Sequence, residues 1–154
     1  MSGFTAAGIS VTTVTTTQQA PLGFVLTVPD GDNGFQEWIY VYNDSGAGLT
    51  AAKMQTRKAA TATYNVAEAG AINPAQAVGV CVTAIPNGSY GFLLRKGIAT
   101  VDAAGAVTAN KGLILVAAGE VTHEGAVTGS ACGNTLAGKG AGTGTFTAFV
   151  NCQG

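Results

Sequence analysis

Few residues in this chain have types and spacings that could do chemistry. Gly133-Asn134-Thr135-Leu136-Ala137-Gly138-Lys139-Gly140 follows the G-x-x-x-x-G-K pattern of a phosphate-binding loop up to its last position. That position needs a Ser or Thr hydroxyl to hold magnesium, and Gly140 has none. The loop must also open a helix, and the Gly-Thr alternation that follows cannot form one. The stretch reads as a glycine-rich loop between two late strands. His123 is the single histidine, with Glu120 three residues before it and Glu124 directly after. Glu-x-x-His serves in di-iron bundles, but there it occurs twice and on helices. One imidazole with scattered thiols and carboxylates does not make a zinc ligand set. His123 reads as a surface residue on a polar strand.

The remaining candidates reduce in the same way. Asp30, Asp32, Asn33 and Gly34 form a fragment of a calcium loop. The later ligands and the closing Glu are missing, so a plain turn is expected. Three cysteines, Cys81, Cys132 and Cys152, are an odd count that argues against a full disulfide framework. Cys81 sits in an apolar run and reads as a small buried hydrophobe. Cys132 and Cys152 could pair, but nothing in the sequence requires it. Asn43-Asp44-Ser45 and Asn87-Gly88-Ser89 fit the glycosylation sequon but read better as turns. No G-x-S-x-G occurs. The expectation is a protein that is not an enzyme and uses no cofactor and no metal.

With little chemistry to place, composition bounds the class. At 154 residues the chain can bury a real core without staples. Its net charge is -1, which leaves no basic field for nucleic acid or an anionic membrane. Charged residues make up 10%, against roughly 25% in a typical soluble domain. Few charges keep such a chain apart from its neighbours, and interface cores are depleted in charge. That favours a subunit of an assembly over a solitary neutral domain. The N-terminus has no basic segment followed by a long apolar one, and no apolar run approaches 18 residues, so neither a signal peptide nor a membrane helix is expected. Free thiols suit synthesis in a reducing cytosol.

The elements are short strands. Val78 to Ile85 alternates, Pro86-Asn87-Gly88 supplies turn chemistry, and Tyr90 to Leu94 returns, which predicts a β-hairpin. Glu37 to Asn43 is a strand with Trp38, Tyr40 and Tyr42 on one face and Ile39 and Val41 on the other. Both faces are large, so it is expected to be central or to cover an interface. Residues 51–58 are read as a short helix or an edge strand guarded by Lys53, Arg57 and Lys58. Asn73-Pro74-Ala75-Gln76 suggests a single turn, and Lys96-Gly97 a bulge. Closely spaced turn signals after residue 101 indicate an all-β fold, a compact barrel or sandwich of short antiparallel strands over residues 21–154. Residues 1–20 are Thr-rich and poor in large apolar side chains. They are read as an extended arm that adds to a sheet on another subunit, with an edge strand of the same domain as the alternative.

The order of features from about residue 20 to 152 resembles small capsid decoration proteins, also called head-stabilising or cement proteins, of tailed bacteriophages. The residues that carry the resemblance are Pro21-Leu22-Gly23 before a strand, Trp38-Ile39-Tyr40-Val41-Tyr42-Asn43, and Asn73-Pro74-Ala75-Gln76 leading into Val78-Gly79-Val80. Gly88-Ser89-Tyr90-Gly91-Phe92 running into Arg95-Lys96-Gly97 also carries it, as does the end Phe149-Val150-Asn151-Cys152. The resemblance implies a β-barrel-like virion protein, made in the host cytoplasm, that stabilises a capsid from its outer surface. Its implied partners are the major capsid protein and copies of itself, as a trimer at local three-fold axes. Ile9, Val11 and Val14 of the arm and Trp38, Tyr40 and Tyr42 of the aromatic strand are the expected capsid or intersubunit contacts. Two other readings stand beside it: a head-fibre or tail module with a host-facing role, and a small-ligand-binding β-barrel.

Overall fold

In the computed structural model, residues 5–6, 8–58, 64–68, 77–125, 131–135 and 144–152 are described. The expected turn at 73–76 and most of the glycine-rich stretch at 138–144 lie outside them. The fold is nearly all β. Strands β1 (Thr5–Ala6) and β2 (Ile9–Ser10) form a small hairpin. The other strands form one ten-stranded sheet. They are β3 (Val25–Pro29), β4 (Phe35–Asn43), β5 (Met54–Arg57), β6 (Asn65–Glu68), β7 (Ala77–Val80), β8 (Tyr90–Ala103), β9 (Gly112–Leu115), β10 (Val121–His123), β11 (Ala131–Thr135) and β12 (Gly144–Asn151).

That sheet closes on itself twice, because β8 is long enough to serve two neighbourhoods. Its first half pairs with β4 and β7, and the circuit returns through β5 and β6, with β6 parallel to β4. Its second half pairs with β12, and a second circuit returns through β11, β9 and β10, where Val121 meets Ala103 in parallel. The result is two small barrels that share one strand. A cluster of Ile39, Val41, Leu49, Val66, Val78, Cys81, Ile85 and Leu93 fills the first. All strands of the second circuit contribute to the other cluster, through Val101, Leu113, Val121, Cys132 and Val150 among others.

A bulge makes the shared strand possible. Glu37 faces Lys96, but Trp38 faces Leu94, so Arg95 is an extra residue on β8. An inserted residue reverses which face alternate side chains occupy. Before it, even-numbered Phe92 and Leu94 face the larger cluster; after it, odd-numbered Ala99, Val101 and Ala103 do. The expected break at Lys96-Gly97 is this bulge, and the strand continues through it. Gly97 is at φ +135, and a Cβ there would stand 2.9 Å from Gln36 Cγ.

Two local expectations are corrected. Residues 51–58 are neither helix nor edge strand: β5 is paired on both sides, by β6 and β7. Its basic residues therefore guard no edge. β7 and β8 are antiparallel neighbours, but their ladder is the single pair Val80–Leu94, and residues 81–85 do not continue it. Cys81 and Ile85 instead bond back to the 49–53 segment, with Ala52 N–H 2.7 Å from the Cys81 carbonyl and Leu49 N–H 2.9 Å from that of Ile85. The Pro86-Asn87-Gly88 turn is held by Asn43, whose side-chain amide donates to the Ile85 and Ala47 carbonyls at 2.8 Å each. The Asn43 side-chain oxygen accepts the Ser45 N–H at 3.0 Å.

Candidate contact surface

The aromatic face of β4 forms as its alternation predicts, but it is closed inside the chain. Trp38 and Tyr40 are each 1% exposed. The Trp38 indole donates to Gln36 Oε1 at 3.1 Å, and the Gln36 amide donates to Asp30 at 2.9 Å. The Tyr40 ring lies 5.0 Å from Phe92 and stacks on Tyr90 at 6.1 Å, while Tyr42 meets Tyr90 at 4.7 Å. Tyr42 is half-buried. Trp38 and Tyr40, expected at an outward contact, thus present almost no surface to a partner. Tyr90 and Phe92, in the first half of β8, pack on Tyr40, and both β4 residues belong to the larger core cluster.

Residues 8–20 help to cover that face. Thr15 and Tyr90 exchange two backbone hydrogen bonds, at 3.0 and 2.7 Å. Gln19 N–H donates to the Tyr40 hydroxyl at 3.0 Å. Val11 is buried in the larger cluster with half-buried Ile9 against it, and half-buried Val14 packs on the other cluster. A turn closed by Thr13 N–H on the Ser10 carbonyl lets apolar residues three apart reach different cores. Residues 8–20 thus pack on their own domain, joined to the sheet by one isolated bridge at Thr15 rather than as an edge strand.

The apolar side chains that do reach solvent are elsewhere. Phe35 is 69% exposed, Phe24 39% and Val25 38%. In the β3–β4 ladder Val25, Thr27 and Pro29 face Ile39, Glu37 and Phe35, so Val25, Thr27, Pro29 and Phe35 share one face. That strip runs about 14 Å over four register steps. Its charged member, Glu37, is paired with Lys96 at 3.7 Å. β3 ends the order of strands in the sheet, so its outer edge has no strand partner among the described residues. Sequence reasoning missed this strip because Phe35 stands beside a run of turn formers rather than within an apolar stretch.

The residues first weighed for chemistry are dispersed or already engaged. Glu120 accepts from Lys53 at 2.9 Å, and Asp102 lies 2.8 Å from the same ammonium. Partial burial works to lower the Lys53 pKa, but the bonds to Asp102 and Glu120 outweigh it and hold the pKa above the ordinary value. Burial pushes the Cys132 thiol up to about 12 and the Cys152 thiol higher still. Both stay protonated at neutral pH, when a nucleophile would need a thiolate. Among the described residues no three His, Cys, Asp or Glu side chains gather as a metal site. A pocket of about 320 Å³ at the seam of the two barrels is lined by Trp38, Ala52, Val82, Leu94, Ile98 and Thr147 among others, with no charged side chain.

No protein-family model matches the chain, and no curated protein matches it. Among solved structures it is similar to the crystal structure of the head fiber gp8.5 N base in bacteriophage phi29. The TM-score is 0.51 at 12% identity, over 74% of this chain and 92% of that one. At that identity the likeness is one of fold.

Proposed function

We propose that this chain is a structural protein of a bacteriophage head that attaches to the outside of the shell. The observation that carries the reading is the fold likeness, which spans nearly all of a phage head-fibre base. The independent order of sequence motifs that resembles capsid decoration proteins supports it. So does a chain with 10% charged residues and an exposed, largely apolar strip beside an open strand edge, whose one charged member, Glu37, is paired with Lys96. Its partners are the major capsid protein and copies of itself, as a trimer at local three-fold axes. There it stabilises the shell by many weak contacts repeated on a lattice. The β3–β4 strip makes the contact, since Trp38 and Tyr40 are spent on the core. The fold likeness also favours a second form of the same role, the base of a head fibre.

Sedimentation of the purified chain with shells built from its cognate capsid protein tests the proposal. The expected result is saturable co-pelleting of a trimer. A monomer that stays in the supernatant at every concentration would overturn it.

A further inference from the structure

We propose that Cys132 and Cys152 are a disulfide site that locks β11 to β12 when the protein meets an oxidising environment. Both residues are buried, and both belong to the core of the second barrel. Cys132 lies in β11 and Cys152 directly follows β12; the two strands pair up to Gly133 and Val150, and continuing that register by one step would set Cys132 across from Asn151, one residue off Cys152. Strand spacing and one residue of rise put such Cα atoms about 6 Å apart, the separation a disulfide favours. The ladder between β11 and β9 is irregular between Ala131 and Gly133, so Cys132 is an inserted residue there. That turns its side chain into the same core as Val150 and Cys152. The sulfurs also sense each other, since charge on Cys132 makes charge on Cys152 harder to form. Cys81 belongs to the other barrel's core and serves as an internal control.

The chemistry balances with a small disulfide oxidant such as oxidised glutathione. One thiolate attacks the glutathione disulfide and releases one reduced glutathione. The second thiolate then attacks the protein-bound sulfur and releases another, leaving one protein disulfide two hydrogens lighter. Burial keeps both thiols protonated in the closed barrel. The bond therefore forms during folding or a local opening of β12, and once formed it is shielded.

Refolding the full chain in oxidised glutathione tests this, read by intact mass and by mapping of unreduced peptides. The expected product has lost two hydrogens, carries a Cys132–Cys152 link and keeps Cys81 as a thiol. Closing a loop of about 20 residues lowers its unfolding equilibrium constant by about 100-fold. Cys132→Ser or Cys152→Ser abolishes the link and leaves the remaining partner as a glutathione adduct. Three free thiols after refolding, adducts without a link, or a link through Cys81 would each overturn the proposal. Because wild-type chain is read directly, a serine variant that fails to fold leaves the result standing.

Discussion

Two apolar strips meet on β4, and they differ in what covers them. Trp38 and Tyr40 lie under β8, its neighbours and the chain's own N-terminal segment, while Phe35 and the β3 residues facing it stay in solvent. The residue classes are alike, yet one strip holds the fold together and the other is free to bind. Size and aromaticity mark a side chain that is worth burying; they do not say by what.

Substitutions should separate the two strips sharply. Trp38→Ala empties a fully buried site and removes the indole bond to Gln36. It should cost about 3–5 kcal/mol in chemical denaturation. A loss near 1 kcal/mol would place Trp38 outside the core. Asn43→Ala removes the side-chain bonds to the Ile85 and Ala47 carbonyls and the acceptor for Ser45 N–H, leaving Leu49 N–H and the Ser45 hydroxyl as those carbonyls' remaining donors. The expected cost is about 2 kcal/mol, with faster hydrogen exchange in the 85–89 turn as the local signature.

Lys53 offers a smaller effect with a defined pH dependence. Its folded pKa is raised above the ordinary 10.5. Its contribution is therefore complete below that value and fades as pH rises through the folded pKa. Lys53→Met should cost about 1 kcal/mol at neutral pH, and the gap from wild type should narrow in strongly alkaline buffer. An unchanging gap would mean that packing of the Lys53 stem, not its charge, joins the two barrels. Phe35→Ser should move stability least, within about 0.5 kcal/mol, while weakening attachment to the shell. That pairing is the inverse of the Trp38 result.

Much of the fold was legible. The period-two alternation of residues 37–43 gave β4 and assigned its two faces, and turn formers at 30–34 and 86–88 marked real turns. What stayed hidden were decisions made at long range. Nothing local says that β5 will be flanked by both β6 and β7, or that Ile85 will pair with Leu49 rather than with β8. The double closure depends on Arg95 as an inserted residue; Gly97 pointed to a bulge at this place, but nothing local says that it lets one strand serve two circuits. Val11 and Val14 were visible as apolar residues in a polar segment. In the structure they pack on the two clusters of their own chain, which no local pattern announced.

The most direct test is an image of the native particle in which this chain is present. Density for the two-barrel fold should stand on the outer surface of the head, with the β3–β4 face and Phe35 turned toward the shell or a neighbouring copy, and the Phe35→Ser chain should occupy fewer sites. Particles that contain the chain but show no such density on the head, or full occupancy with Phe35 facing open solvent, would contradict the account.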